Sequence, residues 1–186
     1  MKLVIGLGNP ESRFDRTRHN VGFAMLDAFA AENQANWQRK DKFKADIAEL
    51  TINGEKVILT KPTTYYNLVG ESARAICDFY KIPTTDVLLI HDDLALPFGT
   101  IRTRVGGSDA GNNGIKSMNA HLGNDTARIR IGTWNEFRDK LDDFEFVLSK
   151  FSAAESKALD ALAPQTSSLI ESFANGQFQQ TTHRAA

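Results

Sequence analysis

The most constraining feature of this sequence is a run of four apolar residues, Val-Leu-Leu-Ile at 87–90, followed at once by His-Asp-Asp. A short run without polar positions is typical of a central β-strand that is covered on both faces. Other strand-like segments lie at residues 2–6, 45–52, 55–61, 100–105 and 128–132. Helical periodicity follows Asn20, spans residues 69–81, follows residues 106–114 and resumes at Ser152. This alternation predicts an α/β fold with a single globular domain, in which helices flank both faces of a twisted mixed β-sheet.

Local signals refine this prediction. Asn53-Gly54 predicts a tight hairpin turn between two of the strands. Ser152 and Glu155 match the capping box, Ser-x-x-Glu, at a helix start. Pro164 lies inside the helical pattern that follows, so we expect a break or a kink there. The polar residues 175–186 offer few anchors and predict a loosely ordered tail.

Length and composition limit the class of protein. The chain has 186 residues, of which 41% are apolar, so we assign residues 1–186 to one domain. No apolar run approaches the roughly 20 residues that cross a bilayer. The first residues enter a strand-like segment without the layout of a signal peptide. Cys77 is the only cysteine, and it lies on an apolar helical stripe that favours a core position over a nucleophile. We therefore expect a cytoplasmic protein with no membrane association.

The charge balance restricts the partners. A net charge of −1 argues against binding of nucleic acid over a wide surface, but it is compatible with a local basic patch. Basic residues gather near the glycine-rich segment and around His19: Arg102, Arg104, Lys116, Arg128, Arg130, Arg13, Arg16 and Arg18. Scattered solvated side chains are the alternative interpretation of this pattern.

The motif Gly-Leu-Gly-Asn-Pro at residues 6–10 follows the first strand. A dinucleotide fingerprint would need a third glycine at the position of Glu11. Pro10 also removes an amide that could face a phosphate. The motif therefore indicates a tight turn, which can aim Asn9 into a cleft.

A histidine and an aspartate form the first candidate catalytic pair. His19 precedes the first helix, where it can act as a general base, although an isolated histidine is more often structural. Strand alternation sends Asp92 and Asp93 in opposite directions, so one of them can reach a cleft. Asp92 can fix the tautomer of His19 and stabilise its cation. A metal site of His91, Asp92 and Asp93 is the alternative, but adjacent strand residues diverge, so we expect no metal.

Two segments at helix entrances carry polar groups. Tyr65, Tyr66 and Asn67 can stack a base and bind a peptide or sugar. Packing of the rings and helix capping by Asn67 are the simpler interpretation. Residues 106–114 contain four glycines before a helix, which suits the binding of a phosphate or an oxyanion. A mobile surface loop is the alternative.

The order and spacing of six motifs point to one family. They are Gly-Leu-Gly-Asn-Pro (6–10), Thr-Arg-His-Asn (17–20), Lys-Pro-Thr-Thr-Tyr-Tyr-Asn (61–67), His-Asp-Asp-Leu (91–94), Asn-Asn-Gly (112–114) and Arg-Ile-Arg-Ile-Gly (128–132). As a set they resemble the motifs of bacterial-type peptidyl-tRNA hydrolase over residues 2–151. The resemblance implies a monomeric, cytoplasmic esterase that releases peptide and recyclable tRNA from ribosome-free peptidyl-tRNA. It implies no metal and no cofactor.

The resemblance also implies roles for five polar residues. His19 is the expected general base towards the attacking water, and Asp92 is expected to hold it. Asn9 is expected beside the peptide end of the substrate, where it helps to distinguish N-blocked from free aminoacyl-tRNA. Asn67 and Asn113 are expected to contact the substrate and polarise the scissile ester.

The remaining implied roles concern the tRNA. Phe14 and Tyr65 are expected to line the site for the terminal adenosine of the CCA end. Arg104 and Arg130 match positions that clamp the 5′ phosphate at the acceptor stem. The expected partner is therefore peptidyl-tRNA, contacted at its acceptor stem and CCA end.

The sequence departs from the family pattern at several positions. Phe14 stands where a tyrosine is common, Tyr66 replaces a usual methionine and Asn112 replaces a usual histidine. Residues 133–135 replace a more usual run containing glycine and proline. Three rival functions remain open: a catalytically inactive RNA-binding relative, a small-molecule hydrolase and a metal-dependent hydrolase. The His19–Asp92 pair argues against the first, because a binding module has no need of a base and its orienter.

Overall fold

The structure, a computed structural model, describes residues 1–185. Within this range the strands are β1 (Lys2–Gly6), β2 (Gln38–Lys40), β3 (Ala45–Ile52), β4 (Glu55–Pro62), β5 (Val87–Pro97), β6 (Thr100–Val105), β7 (Ala127–Trp134) and β8 (Thr182–Arg184). The α-helices are α1 (Val21–Glu32), α2 (Val69–Tyr80), α3 (Asn113–Leu122), α4 (Asp143–Val147) and α5 (Ala153–Ala174). Single turns of 3-10 helix at Arg18–Asn20 and Tyr66–Leu68 precede α1 and α2.

The strands of residues 1–185 form one eight-stranded sheet in the order β2-β3-β4-β1-β5-β7-β6-β8. The four central strands are parallel, because β1 pairs with both β4 and β5, and β5 pairs with β7. The outer strands pair antiparallel. The predicted mixed sheet is therefore confirmed, and the apolar run that predicted a central strand lies in β5.

Helices cover both faces of this sheet. Alternate residues of a strand point to opposite faces, so Leu88 and Ile90 pack under α1 and α5. Leu89 belongs to the second core, which α2 and α3 cover. Leu3, Val4 and Ile5 of β1 are divided between the two cores in the same way. This arrangement confirms the predicted helices on both faces.

The predicted hairpin turn is also confirmed. Asn53 and Gly54 have φ angles of +48° and +83°, the left-handed values that a two-residue hairpin turn requires at both positions. Ile52 pairs with Glu55 directly across the turn.

The capping box at the start of α5 is confirmed. Of the break or kink predicted at Pro164, the break does not occur. Ser152 Oγ accepts a hydrogen bond from the Glu155 amide at 3.1 Å, and Glu155 Oε2 accepts one from the Ser152 amide at 2.8 Å. The helix then runs through Pro164 to Ala174. Pro164 lies on the exposed side, where solvent can satisfy the carbonyl that loses its donor, while buried Ile170 continues the apolar face.

The structure corrects the loosely ordered tail predicted for residues 175–186. Thr182–Arg184 form β8, which pairs antiparallel with β6. Thr103 of β6 holds the residues just before β8 in place. Its hydroxyl donates to the Gln179 carbonyl at 2.6 Å and accepts from the Thr181 amide at 2.7 Å. The open edge of β6 therefore orders this polar segment. Ala186, the last residue of the predicted tail, lies outside the described residues.

Within residues 1–185 no helix has both the length and the apolar character needed to cross a bilayer.

We predict that Ser152→Ala lowers the free energy of unfolding by about 1 kcal/mol, because the first turn of α5 loses its side-chain cap. Ser168→Ala is the matched control, since it makes the same change at an exposed interior position of α5. Ser168→Ala should leave the free energy of unfolding equal to that of the wild type or slightly higher, because alanine has a higher helix propensity than serine. Urea unfolding of the purified proteins measures both effects. Equal losses for the two variants would contradict the capping role.

Candidate active site

The candidate site lies at the carboxyl edge of the central parallel strands. Adjacent parallel strands end at the same edge of a sheet, which is where α/β proteins usually bind ligands. Asn9 follows β1, Tyr66 follows β4 and Asp92 lies near the end of the regular part of β5. His19 reaches the same edge from the Arg18–Asn20 turn, called the His19 turn below. The fold thus brings together residues that are far apart in sequence.

His19 and Asp92 form the predicted pair. The His19 Nδ1 and Asp92 Oδ2 atoms are 2.8 Å apart. An ionised carboxylate can only accept, so Nδ1 carries the proton and donates it. In the neutral imidazole, Nε2 is then the basic nitrogen. This is the tautomer that a general base needs.

Asp92 is a buried carboxylate with several donors. Its side chain is 1% exposed. Burial by itself would raise the pKa of this carboxyl, but the charge and hydrogen bond of His19, together with a hydrogen bond from Tyr66, hold the pKa below its ordinary value. Asp92 therefore stays ionised and remains an acceptor for His19.

Tyr66 is the main site residue that the sequence did not place. Its hydroxyl donates to Asp92 Oδ1 at 2.7 Å. Its ring stacks on the His19 imidazole, with centroids 3.5 Å apart and planes 15° apart. Burial, followed by the Asp92 charge, raises the pKa of Tyr66 well above its ordinary value, so the hydroxyl keeps its proton. The available signal was its position just after a strand that pairs in parallel with β1.

Asn9 is held in one orientation by its neighbours. Its Oδ1 accepts from the Tyr66 amide at 2.9 Å. Its backbone is clamped by Asn20, whose Oδ1 accepts from the Asn9 amide at 2.8 Å and whose Nδ2 donates to the Asn9 carbonyl at 2.9 Å. Because Oδ1 is occupied, Asn9 Nδ2 is the group directed to other partners. The sequence predicted Asn9 but not the Asn20 clamp.

Asn112 is a second residue that sequence reasoning noted only as a departure from the family pattern. It is the N-cap of α3, where its Oδ1 accepts from the Gly114 and Ile115 amides, both at 3.0 Å. Its Nδ2 donates to the Tyr66 hydroxyl at 3.0 Å. The signal that could have found the cap is an asparagine just before a helical pattern.

The other predicted substrate contacts occupy exposed or half-buried positions. Asn67 and Asn113 are exposed, at the entrances of α2 and α3. Asn67 does not cap α2, because the N-cap position is Leu68 and no side-chain cap is formed. Tyr65 is 55% exposed. Phe14 is half-buried, and the Arg13 guanidinium lies 4.6 Å from its ring centroid.

Four arginines share one face of the β6–β7 pair, called the arginine face below. They point the same way because Arg102 pairs with Arg130 and Arg104 pairs with Arg128 across the antiparallel ladder. Arg104 is exposed, whereas Arg130 donates through Nε to Asp93 Oδ2 at 2.7 Å. A local concentration of positive charge thus exists in a chain of net charge −1.

Arg128 is buried and has a structural role within that face. Its guanidinium donates to the Ser108 and Gly107 carbonyls and to Asn119 Oδ1, each at 2.8 Å. Burial, with the nearby charges of Arg130 and Arg104, lowers its pKa. Arg128 therefore fastens the glycine-rich loop to α3.

Arg18 likewise belongs to the interior and not to the surface patch. It is 4% exposed and donates through Nη1 and Nη2 to the two carboxylate oxygens of Glu155, both at 3.1 Å. The rings of Phe146 and Phe151 lie 4.7 and 4.9 Å from its guanidinium carbon. Glu155 is also the capping-box residue of α5. One carboxylate therefore joins the His19 turn to the C-terminal helix.

The three consecutive residues of the His-Asp-Asp motif point to different partners. His91 Nδ1 donates to the Asp92 carbonyl at 2.7 Å, and burial lowers the pKa of His91. Asp92 accepts from His19, and Asp93 accepts from Arg130. Among residues 1–185 no three histidine, cysteine, aspartate or glutamate side chains are grouped so that they could hold a metal ion.

Cys77 has the core position that its place on the apolar stripe predicted. It is buried in the α2–α3 core, and burial raises the pKa of its thiol to about 11. The group is therefore protonated near neutral pH, which does not suit a nucleophile.

Comparison with known proteins agrees with these motifs. A family model described as peptidyl-tRNA hydrolase matches residues 3–186. The chain belongs to the peptidyl-tRNA hydrolase family. The peptidyl-tRNA hydrolase of Ligilactobacillus salivarius is 40% identical over 186 residues, 99% of each chain. That of Rickettsia bellii is 40% identical over 175 residues, 92% of this chain and 94% of its own.

A solved structure agrees as well. The crystal structure of peptidyl-tRNA hydrolase from Acinetobacter baumannii matches with a TM-score of 0.86 at 31% identity, covering 95% of this chain and 90% of the other. The family resemblance predicted from the motifs is thus confirmed, and so is the α/β fold.

We predict that Glu155→Gln lowers the free energy of unfolding by about 3 kcal/mol at pH 7, because it leaves the buried Arg18 charge without its counterion. Glutamine can still serve in a capping box, so the change removes mainly the charge. Burial opposes ionisation of Glu155. The hydrogen bonds that it accepts from Arg18 and from the Ser152 amide, together with the charge of Arg18, favour ionisation more strongly. The pKa of Glu155 therefore lies below the ordinary 4.5.

This lowered pKa gives the expected pH dependence. The stabilisation is complete above pH 4.5 and is lost as the pH falls through the lower folded-state value. The difference in the free energy of unfolding between wild type and Glu155→Gln should therefore become smaller in acid. Urea unfolding over a series of pH values measures this difference. Glu171→Gln, on an exposed position of α5, is the matched control and should match wild type. A difference that stays constant with pH would contradict the ion-pair assignment.

Proposed function

We propose that the protein hydrolyses the ester bond of ribosome-free peptidyl-tRNA, with His19 as the general base and Asp92 as its orienting carboxylate. The observation that carries this proposal is the 2.8 Å contact between His19 Nδ1 and Asp92 Oδ2, which leaves Nε2 as the basic nitrogen. Family membership supports the substrate, and the geometry supports the roles of the two residues.

The reaction needs no covalent intermediate. His19 Nε2 takes a proton from water while the water oxygen attacks the ester carbonyl, and the imidazolium formed is stabilised by Asp92. The tetrahedral intermediate then expels the ribose oxygen, which receives the proton from His19. Peptide acid and tRNA with a free hydroxyl are the products.

Amide groups supply the polar contacts in this proposal. Asn67 and Asn113 are exposed at the rim, where their side-chain amides can donate to the developing oxyanion. Asn113 is also the first residue of α3, at the positive end of the helix dipole. Asn9 Nδ2 is directed towards the peptide end, where it can bind the carbonyl of an N-blocked residue.

Aromatic and basic residues are proposed to bind the tRNA. Tyr65 presents an exposed ring on which the terminal adenosine can stack, and Phe14 offers a second ring. Arg104 and Arg130 of the arginine face are proposed to contact the 5′ phosphate at the acceptor stem. Asp93 fixes the Arg130 guanidinium for this contact, while Arg104 extends into solvent.

We predict that the purified protein cleaves an N-acetyl-aminoacyl-tRNA in the presence of EDTA and spares the unblocked form. His19→Ala should lower kcat/KM by roughly 100-fold to 10,000-fold, since the base is lost. Asp92→Asn should lower it by on the order of 100-fold or more, because the amide no longer fixes the tautomer of His19. The rate at which the labelled N-acetyl-amino acid is released gives kcat/KM for the wild type, His19→Ala and Asp92→Asn.

Matched controls separate these roles from general damage. His121→Ala removes an exposed histidine of α3, and Asp160→Asn makes the same charge change on an exposed position of α5. Both should retain wild-type turnover. Loss of activity on chelation would favour the metal-dependent rival, and near-normal turnover by His19→Ala would exclude this residue as the base.

We predict that Arg104→Ala weakens tRNA binding by about tenfold and lowers the slope of log affinity against log salt by about 1, as expected for the loss of one phosphate contact. Lys56→Ala is the matched control, because it removes one positive charge near the start of β4, which three strands separate from β6. It should change neither the affinity for tRNA nor its dependence on salt. A minimal N-acetyl-aminoacyl nucleoside ester lacks the phosphate, so its hydrolysis should be nearly unaffected. Equal losses on tRNA and on the minimal ester would contradict the phosphate contact.

A further inference from the structure

Asp92 has a second side-chain donor besides His19. Its Oδ2 accepts from His19 Nδ1 at 2.8 Å, while its Oδ1 accepts from the Tyr66 hydroxyl at 2.7 Å. The two carboxylate oxygens are thus assigned to different partners. Hydrogen bonds to both oxygens oppose rotation of the carboxylate and keep Oδ2 facing the imidazole.

The Tyr66 ring is held tightly in place. It is buried, and one face stacks on His19 with a centroid separation of 3.5 Å. On another side it abuts Gly114, where an added Cβ would collide with the ring and with Leu7. The ring therefore limits tilting of the imidazole while its hydroxyl limits rotation of Asp92.

Asn112 sets the direction of the Tyr66 hydrogen bond. Its Oδ1 is engaged by the Gly114 and Ile115 amides at the start of α3, which leaves Nδ2 as the donor to the Tyr66 oxygen. A phenol has one proton. Since its oxygen accepts from Asn112, that proton is directed to Asp92. The directed chain runs from the start of α3 through Asn112 and Tyr66 to Asp92.

We propose that Tyr66, oriented by Asn112, is a positioning residue that fixes Asp92 and His19 for catalysis. The proposal rests on the proposed function for its kinetic consequences, but the contacts themselves are independent of any substrate. It assigns one joint role to two positions at which the sequence departs from the family pattern, a tyrosine at 66 and an asparagine at 112.

The charged surroundings of Asp92 define what a change at Tyr66 does. His19 and Tyr66 donate hydrogen bonds to its carboxylate, and Asn112 Nδ2 lies 3.4 Å from its Oδ1. His91 precedes Asp92 on β5. Asp93 is turned away and paired with Arg130. Donation by Tyr66 spreads part of the Asp92 charge, so its removal concentrates that charge on the oxygen facing His19 and favours the imidazolium.

We predict that Tyr66→Phe, which keeps the ring and removes the hydroxyl, lowers kcat about tenfold with little change in KM. The acid limb of its kcat/KM pH profile should move to higher pH. Asn112→Ser keeps an N-cap acceptor but loses the Nδ2 donor, and it should produce a smaller loss. Because the two residues act mainly through one chain of hydrogen bonds, the loss in the double variant should be smaller than the product of the two single losses. Tyr80→Phe makes the same chemical change in α2 and is the matched control.

An activity-free measurement separates this proposal from the proposed function. The 15N NMR signals of the His19 imidazole, assigned by their loss in His19→Ala, should shift in Tyr66→Phe and Asn112→Ser but not in Tyr80→Phe. A wild-type protein that fails to cleave N-acetyl-aminoacyl-tRNA would refute the proposed function. The NMR comparison would still test whether Tyr66 and Asn112 position His19. An unchanged pH profile and unchanged His19 signals in both variants would overturn the positioning role, even if their stability fell.

Discussion

The burial of the Asp92 carboxylate is the constraint on which the site depends. A charge removed from water is costly unless other groups donate hydrogen bonds to it. Asp92 lies in the central strand β5 and is 1% exposed, so its donors come from neighbouring elements. His19 comes from the turn before α1, and Tyr66 comes from the turn after β4. Stabilising this one carboxylate thus brings two loops and two strand ends into a fixed arrangement.

The same logic extends to the far end of the chain. The His19 turn is fixed by the buried Arg18, and Arg18 is neutralised by Glu155 at the start of α5. Glu155 completes its own helix cap at the same time. The C-terminal helix therefore helps to determine the position of His19, although α5 itself contributes no side chain to the His19–Asp92 pair. A stability defect in its first turn is also a defect in the placement of His19.

Much of the fold follows from local patterns in the sequence, and less of the site does. Apolar runs and turn residues predicted the sheet, the hairpin at Asn53 and the cap at Ser152, because these depend on neighbours in the chain. The sequence did not predict that α5 runs through Pro164 without a break or that residues 182–184 pair with β6, because tertiary packing decides both. The positions of His19 and Asp92 in the sequence made them a candidate pair, and the family resemblance then supported it. The contact of Tyr66 with Asp92 was not predicted, because it depends on the path of the turn after β4 and on the pairing of distant strands, which periodicity does not reveal.

The side chains at positions 66 and 112 complement each other. A tyrosine at 66 buries a hydroxyl beside Asp92, and a buried hydroxyl needs partners. Asn112 supplies a donor to its oxygen, while Asp92 accepts its proton. Gly114 leaves room for the ring. Since Asn112 also caps α3, the gain of the tyrosine contact does not weaken the helix that carries Asn113. Tyr66, Asn112 and Asp92 therefore form one hydrogen-bonded unit.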